Sequence, residues 1–376
     1  MNATELLGGL VSINSVNPDL VPGGPGEGEI AGFIADWCEE QGLEVHRLEG
    51  TPNRPSVVAI ARGTGGGRSL MFNGHTDTVG VAGMSDPFTP RLEGARMYGR
   101  GAYDMKGGVA AMLMAVAQAK KLGLRGDVIA ACVADEEYAS LGSFELVRHF
   151  RADAAIITEP SALEIVAAHK GFVWAEIEVR GKAAHGSRPE LGIDAIAKMG
   201  PLLLELEKLD GRLRASSPHP LLNTGSVHAS LITGGQELSS YPASCRLWLE
   251  RRTVPGESSR TLEAELRELL EGIGAKDPQF SYTLTMGLER PPHEISPEAP
   301  ILRTLRRHAA KITGREPRIV GEPFWTDCAV LSTAGIPTFM FGPDGAGAHA
   351  AEEWVDLNSV EQCGGIYLET LKEFCA

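Results

Sequence analysis

A histidine and an aspartate, two residues apart, stand at the end of an apolar run and could together serve a metal site. The run Leu70–Gly74 indicates a buried strand that ends in a turn, and His75 and Asp77 follow it. Because alternate residues of a strand point the same way, both side chains can face one site. Imidazole binds the metal ion, and a carboxylate can hold the other ring nitrogen. A helix cap or a hydrogen-bonded loop histidine is the simpler reading of this pair alone, so the other motifs must decide.

Four further stretches end apolar runs with acidic residues or with histidine. They are GRGAYDMKGG with Asp104, VIAACVADEE with Glu136 and Glu137, AAIITEP with Glu159, and PTFMFGPDGAGAH with His349. The acidic pair in the second stretch could simply cap the helix that follows. The glycines around Asp104 could form a dinucleotide loop, but they lack the G-x-G-x-x-G spacing after a strand.

These strand ends together offer two histidines and several carboxylates. Ligand sites in open α/β sheets collect at the carboxyl ends of strands. Two zinc-like ions about 3.5 Å apart need a bridging carboxylate, a few nitrogen or oxygen ligands each, and an open position for water. The histidines and carboxylates at these strand ends are enough to bind two such ions, and one acidic residue remains to act as a base.

The composition indicates an acidic globular protein. A chain of 376 residues favours two domains, and 43% hydrophobic with 22% charged residues is ordinary for a folded protein. The net charge of -14 argues against nucleic acid or an anionic membrane as partner. The sequence has no basic amino-terminal region followed by an apolar segment, no apolar run of membrane-spanning length and no C-x-x-C spacing among its six cysteines. We therefore expect a cytoplasmic protein without a disulfide framework.

Strand and helix patterns alternate at both ends of the chain and change in the middle. The alternating parts contain predicted strands at 43–48, 56–61, 68–73, 127–134, 154–158 and 336–341, and predicted helices at 3–13, 28–42, 105–122, 142–150, 301–313 and 358–374. This alternation predicts an α/β fold with a mostly parallel sheet. The middle part has a strand at 172–179, a helix at 192–209, strands at 224–232 and 245–251, a helix at 258–270 and a strand at 279–286. That β-α-β-β-α-β order predicts a ferredoxin-like domain at 172–290, inserted into a domain made of 1–171 and 291–376.

Taken in order, the motifs resemble a family of two-metal amidohydrolases. This family contains acetylornithine deacetylase, succinyl-diaminopimelate desuccinylase, aminoacylase and glutamate carboxypeptidase. The resemblance covers essentially the whole chain, through HTDTV, GRGAYDMKGG, DEE, TEP, GKAAHGSRPELG, ERRTVPGE, TDCAVLSTAGIPT and GAHAAEE. It implies a catalytic domain interrupted by a ferredoxin-like lid and dimerisation domain, which agrees with the insertion predicted from the pattern.

The resemblance also implies a ligand set for two divalent metal ions. Asp104 would bridge them, His75 and Glu159 would complete one site, and Glu137 and His349 would complete the other. Zinc is the first expectation, and cobalt or manganese tolerates the same nitrogen and oxygen ligands.

Two more residues of the larger domain receive roles from the resemblance. Asp77 would orient His75, and Glu136 would be the general base. A water bridging two cations has a lowered pKa, and a glutamate can take its proton and return it to the leaving amine. A metal-bridged hydroxide would then attack the amide carbonyl.

Three residues of the inserted domain resemble family residues that contact the substrate. His185 in GKAAHGS resembles a histidine that stabilises the oxyanion from the partner subunit, which implies a functional homodimer. Arg252 would grip the substrate carboxylate through its planar guanidinium, and Arg251 is its rival because one residue of slip exchanges their faces. Asn223 would help to bind the substrate backbone.

Departures from the family pattern fall on substrate contacts. Ser239 or Ser240 stands where members commonly have asparagine, and Glu250 stands where aspartate is usual. At the position of Glu159, the family has aspartate in aminopeptidases and glutamate in deacylases and carboxypeptidases. This glutamate therefore favours substrates with a blocked amine.

The resemblance implies hydrolysis of the amide bond of a small N-acetyl or N-succinyl amino acid. A glutamate-type carboxypeptidase or dipeptidase acting on short peptides is the alternative with the same chemistry. Two other classes are a metal-free scaffold that kept the fold and a Rossmann oxidoreductase. Both are disfavoured, the first because every candidate site residue is present and the second because the glycine spacing is absent.

Overall fold

The computed structural model describes residues 1–216 and 218–376. The helices of this part are α1 (Ala3–Ser12), α2 (Gly28–Glu40), α3 (Gly107–Ala119), α4 (Leu141–His149), α5 (Ala195–Arg214), α6 (Ser259–Lys276), α7 (Pro300–Thr313), α8 (Cys328–Thr333) and α9 (Leu357–Phe374). A π-helical turn, Ala102–Lys106, and a 3-10 turn, Lys120–Leu122, flank α3.

The strands range from two to ten residues. They are β1 (Glu44–Leu48), β2 (Ser56–Ala61), β3 (Leu70–His75), β4 (Arg91–Glu93), β5 (Arg96–Tyr98), β6 (Val128–Val133), β7 (Ala154–Ile157), β8 (Ile165–His169), β9 (Gly171–Arg180), β10 (Ser226–Gly234), β11 (Ser244–Thr253), β12 (Ser281–Arg290), β13 (His293–Glu294), β14 (Ile319–Glu322), β15 (Thr338–Met340), β16 (Gly345–Ala346) and β17 (Trp354–Asp356).

The chain divides into two compact units. The first unit comprises Met1–Ala167, Ile295–Val320 and Thr326–Ala376, and the second comprises Ala168–Glu294 and Gly321–Trp325. Each is described below by itself.

The central sheet of the first unit is mixed. Its strands follow the order β1-β2-β6-β3-β7-β15-β8. The pairs β6–β3, β3–β7 and β7–β15 are parallel, whereas β1–β2, β2–β6 and β15–β8 are antiparallel. The predicted α/β class is therefore confirmed, with the parallel strands confined to the centre of the sheet.

Continuous apolar runs explain the central strands. Every residue of β2, β3, β6 and β7 is buried, as expected of strands covered on both faces. Helix α3 packs against α1 and α9, and α4 packs against α8. Small residues allow α3 to lie close to the sheet, since a Cβ on Gly108 would come within 1.9 Å of the carbonyl oxygen of Thr158.

A small antiparallel sheet accompanies the central one in the first unit. Its order is β16-β17-β5-β4, and β17 pairs with β5 through Val355 and Met97. The π-helical turn follows β5 along the chain, and the loop that contains His349 lies between β16 and β17. Strands this short carry no sequence period, so the pattern did not predict them.

The second unit contains an antiparallel sheet of order β10-β11-β9-β12. With α5 between β9 and β10, and α6 between β11 and β12, the element order is β-α-β-β-α-β. Alternate residues of β9, Val173 to Val179, point into a core shared with leucines of α5 and α6. Strand β13 pairs with the end of β8, with His293 opposite His169.

Two global features complete the fold. Among the described residues, no helix combines the length and apolar character needed to cross a bilayer. The six cysteines are all buried free thiols, at positions 38, 132, 245, 328, 363 and 375.

Candidate metal centre

The carboxyl ends of three neighbouring parallel strands in the first unit carry the predicted site residues. His75 is the last residue of β3, Glu136 and Glu137 follow β6, and Glu159 follows β7. Because β6–β3 and β3–β7 are parallel, these ends lie along one edge of the sheet. The topology thus brings together residues that are far apart in the sequence.

His75 lies between two carboxylates. Its Nε2 is 3.4 Å from Asp104 Oδ1 and 3.4 Å from Glu159 Oε1. The side chain of His75 is buried, as is Glu159. This set of one imidazole and two carboxylates could hold a metal ion, since its donor atoms lie within 4.8 Å of one another, and it is called the first ligand group below.

Asp104 also belongs to a second ligand group. Its other oxygen, Oδ2, lies 3.1 Å from His349 Nε2, which in turn lies 3.2 Å from Glu137 Oε2. The donor atoms of Asp104, Glu137 and His349 again lie within 4.8 Å of one another. The two oxygens of one carboxylate therefore face two separate imidazoles, which is the geometry that a bridging ligand requires.

Asp77 connects both groups without being a donor in either. Its Oδ1 lies 3.5 Å from His75 Nδ1, while its own carbonyl oxygen is nearer to that nitrogen, at 3.0 Å. Its carboxylate also accepts hydrogen bonds from the backbone amides of Glu136, at 3.1 Å, and Glu137, at 3.3 Å. Orientation of the His75 ring is thus shared between the side chain and the backbone of Asp77.

The electrostatics fit a pair of cations. The described residues gather five carboxylates around two imidazoles: Asp77, Asp104, Glu136, Glu137 and Glu159 around His75 and His349. Within the described part of the chain, Glu137 Oε1 is buried and has no hydrogen-bond partner. Buried carboxylates in excess of positive groups need compensation. Oxygen and imidazole donors suit divalent ions such as zinc, cobalt or manganese.

The pKa shifts express the same imbalance. Burial raises the pKa of Glu159 to about 7, although the positive charge of His75 opposes this. Burial also raises the pKa of Glu136 well above its ordinary value, and the charges of Glu159 and Asp327 add to the effect. Hydrogen bonds with Asp104 and Glu137 raise the pKa of His349 to about 10. Without cations, the site therefore holds protons.

Glu136 lies next to both ligand groups but belongs to neither among the described residues. Its backbone is fixed by Asp77, and the preceding Asp135 has φ +68, a left-handed conformation that turns the chain sharply after β6. The turn precedes both glutamates, of which Glu137 belongs to a ligand group and Glu136 does not.

The other three predicted site residues belong to the second unit. The ring of His185 is exposed, and its Nδ1 lies 2.8 Å from Ser187 Oγ. Asn223 is exposed and occupies a left-handed turn with φ +58, where its backbone N–H donates to the His219 carbonyl oxygen.

The two neighbouring arginines on β11 have opposite surroundings. Arg251 is completely buried on the helix side of the sheet, where it pairs with Glu257 and Glu265 at 2.7 and 3.3 Å. Arg252 is one-third exposed, donates to Glu250 at 2.7 Å and lies over the ring of Phe172. Arg252 is therefore the one with donors open to a ligand.

Sequence reasoning missed several residues that support the site. Asn17 donates to Asp77 Oδ2 at 2.7 Å and to Asp135 Oδ1 at 2.9 Å, and so separates two like charges. Asp135 in turn pairs with the buried Arg54 at 2.7 Å. A polar residue before a proline, as in SVNPD, looks like an ordinary turn, so no local signal distinguishes Asn17.

A family model described as "Peptidase family M20/M25/M40" matches residues 71–373. The chain belongs to this family. It is accordingly a hydrolytic enzyme that acts on amide bonds, and the family is dinuclear and metal-dependent.

Two curated relatives of this M20 family member are deacylating enzymes. An N-formyl-4-amino-5-aminomethyl-2-methylpyrimidine deformylase of Halalkalibacterium halodurans is 29% identical over 408 aligned positions, covering 100% of this chain and 95% of the relative. An acetylornithine deacetylase of Erwinia tasmaniensis is 29% identical over 358 positions, covering 91% and 90%.

Solved structures of the M20 family share the fold over the full chain. The aminopeptidase PepT of Bacillus cereus superposes with a TM-score of 0.80 at 17% identity, covering 100% of this chain and 98% of that one. The YXEP protein of Bacillus subtilis, described as a dinuclear metal-binding peptidase, gives 0.78 at 16% identity, covering 99% and 97%.

Proposed function

We propose that this M20 family member binds two divalent metal ions and hydrolyses the amide bond of a small N-acylated amino acid. The observation that carries the proposal is the position of Asp104, whose two oxygens face His75 and His349 separately. Two ligand groups that share one carboxylate are what a two-metal hydrolase needs. Zinc is the first candidate for the ion, and cobalt or manganese would suit the same donors.

Three features support an N-acyl amino acid as substrate. Glu159 stands where the family resemblance associates glutamate with blocked amines. Two relatives that cover nearly the whole chain carry the names of a deacetylase and a deformylase. Arg252 has a one-third exposed side chain whose guanidinium would grip an α-carboxylate through two hydrogen bonds. Because a peptide carboxyl terminus offers the same group, a carboxypeptidase or dipeptidase activity is the second candidate.

Each side chain of the site would have its own role in the hydrolysis. The bound metals would polarise the attacking water and the scissile carbonyl. Glu136 would take a proton from that water and return it to the leaving amine nitrogen. Asp77 would hold both the His75 ring and the Glu136 backbone in position, since it contacts both. His185 would donate a hydrogen bond to the developing oxyanion.

A homodimer is part of this proposal because His185 would act from the partner subunit. The second unit offers a surface that suits a second copy. Strand β10 is at the end of its sheet in the described residues, and Leu231 and Ile232 on it are 66% and 51% exposed. Ile196 and Leu204 of α5 are also exposed. An open strand edge with apolar neighbours favours pairing with another chain.

The test is metal analysis combined with a matched substrate panel. The chelated protein would be titrated with Zn²⁺ or Co²⁺, and turnover would be measured on N-acetyl, N-succinyl and N-formyl compounds and on dipeptides. We expect about two ions per chain and turnover on N-acyl amino acids that requires the free α-carboxylate. Activity confined to peptides would replace the first candidate by the second. Failure to bind any divalent ion at neutral pH would refute both.

A further inference from the structure

A buried ion pair joins the loop of His349 to the turn of Asp104. Arg100 Nη1 lies 2.6 Å from Glu353 Oε2, and both residues are almost completely buried, at 2% and 1% exposure. Neither residue is a metal donor in the two ligand groups. Both lie within motifs of the sequence, GRGAYDMKGG and GAHAAEE, in which only Asp104 and His349 received a role.

The carboxylate of Glu353 fixes the backbone of the Asp104 turn. Its Oε1 accepts hydrogen bonds from the amides of Tyr103 and Asp104, each at 3.0 Å. Its Oε2 accepts from the Gly101 amide at 3.0 Å as well as from Arg100. All of its donors therefore belong to one short segment, and that segment carries the shared ligand.

Arg100 extends the same connection to His349. Its Nη2 donates to the carbonyl oxygen of Ala350, the residue after His349, at 3.0 Å. Its Nε donates to the carbonyl of Gly80 at 3.1 Å. His349 itself has φ +61, and its side chain is 56% exposed, so neither a regular element nor burial holds it.

The first ligand group depends less on this connection, because Asp104 is the one of its three donors that lies on the turn held by Glu353. Its other two donors belong to the central sheet or its edge: His75 ends β3, where it pairs with Val133 of β6, and Glu159 lies two residues after the end of β7. His349 lies in the loop between β16 and β17, which have two and three residues. Side-chain contacts must therefore hold the donors of the second ligand group in position.

We propose that Arg100 and Glu353 are positioning residues that hold Asp104 and His349 ready for the second metal ion. This inference rests on the proposed function. Residues that support metal ligands typically change metal affinity by about 10- to 100-fold when they are replaced. The loss of metal affinity should be larger for the second ligand group than for the first. Two of the second group's three donors, Asp104 and His349, depend on the pair of Arg100 and Glu353, whereas only Asp104 of the first group does.

The test is a calorimetric Zn²⁺ titration of the chelated protein, with Co²⁺ absorption spectra as a second readout. Glu353→Gln should keep the first binding event and weaken the second by about 10-fold or more, since an amide cannot accept from all four donors. Raising the free metal concentration should then restore turnover. The control is Glu164→Gln, another buried glutamate that accepts from arginine, Arg315 at 2.7 Å, and from the Arg318 amide.

Arg100→Lys provides an independent variant. A lysine can still pair with Glu353, but one ammonium cannot also reach the carbonyls of Gly80 and Ala350 in the fork geometry of arginine. We expect a weaker second binding event with the first unchanged, and this variant decides the matter if Glu353→Gln does not fold. Two wild-type binding events in a folded Arg100→Lys or Glu353→Gln protein would overturn the inference. Absence of two events in the wild type would instead overturn the proposed function.

Discussion

The amide of Glu136 donates a 3.1 Å hydrogen bond to the Asp77 carboxylate, so the proposed base and the aspartate beside His75 are mechanically linked. Asn17, Glu136 and Glu137 all donate hydrogen bonds to the Asp77 carboxylate. Asp77→Asn would replace one of the two accepting oxygens by an NH2 group, which cannot accept from these donors. We expect zinc affinity to fall about 10- to 100-fold, measured by competition with a chromogenic chelator. Asp153→Asn is the control, because Asp153 also accepts an amide hydrogen bond, from Ser69, but lies exposed. Equal effects of the two substitutions would remove the special role of Asp77.

Glu136→Gln tests the base directly. The amide has nearly the same shape but cannot take a proton, so kcat should fall by about a hundredfold or more. Metal stoichiometry should stay at the wild-type value, because Glu136 is not a donor in either ligand group. The exposed Glu361→Gln is the matched control. Turnover that survives the change would assign the base to another group.

The two arginines on β11 should respond differently to replacement by methionine. Arg252→Met should raise KM for a substrate with a carboxylate by about tenfold or more, with a smaller change in kcat, because a charge-assisted contact is lost. Arg251→Met should instead lower the free energy of unfolding by about 3 kcal/mol, since its buried pairs with Glu257 and Glu265 are broken. Steady-state kinetics and urea unfolding measure the two effects. The reverse pattern would contradict the assignment of Arg252.

Mixing two inactive variants tests donation of His185 across subunits. His185→Ala keeps the metal residues, and Glu136→Gln keeps the histidine. After unfolding and refolding a 1:1 mixture, half of the dimers would contain one complete site, which gives about one quarter of wild-type activity. Activity no higher than the sum of the separate variants would place His185 in its own subunit's site or outside any site. Leu231→Lys on β10 should reduce both dimer formation and this recovery.

Asp327 should make stability depend on pH. Burial raises its pKa to about 6, although Ser143 donates a hydrogen bond to its Oδ2. The native state then binds more protons than the unfolded state between about pH 4 and pH 6, so this carboxyl makes stability fall as pH rises through that window. Asp327→Asn removes the effect. In chelated protein, the variant should gain unfolding free energy relative to wild type between pH 4.5 and 7.5, and a constant difference would contradict the shifted pKa.

The central strands could be predicted from sequence because they are continuous apolar runs. The sequence predicts a strand at 68–73, and the structure places β3 at Leu70–His75, because pairing with β6 continues as far as His75 and Val133. Strands β5, β16 and β17 have two or three residues and therefore no usable period. They form only because distant segments meet.

The candidate site likewise contains residues that the sequence predicts and contacts that it does not predict. His75, Glu137 and Glu159 follow strands, so their types and positions were visible in the sequence. Contacts between distant segments were not: Arg100 and Glu353 are 253 positions apart, and no local pattern links them. The choice between Arg251 and Arg252 was open to period-two reasoning, because Cys245, Leu247 and Leu249 place Arg251 on the buried face.

The burial of every native thiol has a practical consequence. A reactive cysteine needs access to solvent and a stabilised thiolate, whereas burial here raises the pKa of Cys38 to about 12 and that of Cys132 well above its ordinary value. One cysteine introduced on the surface would then be the only fast-reacting position for a fluorophore or spin label. Distances between dye-labelled chains could be followed in the otherwise unaltered protein while it turns over substrate.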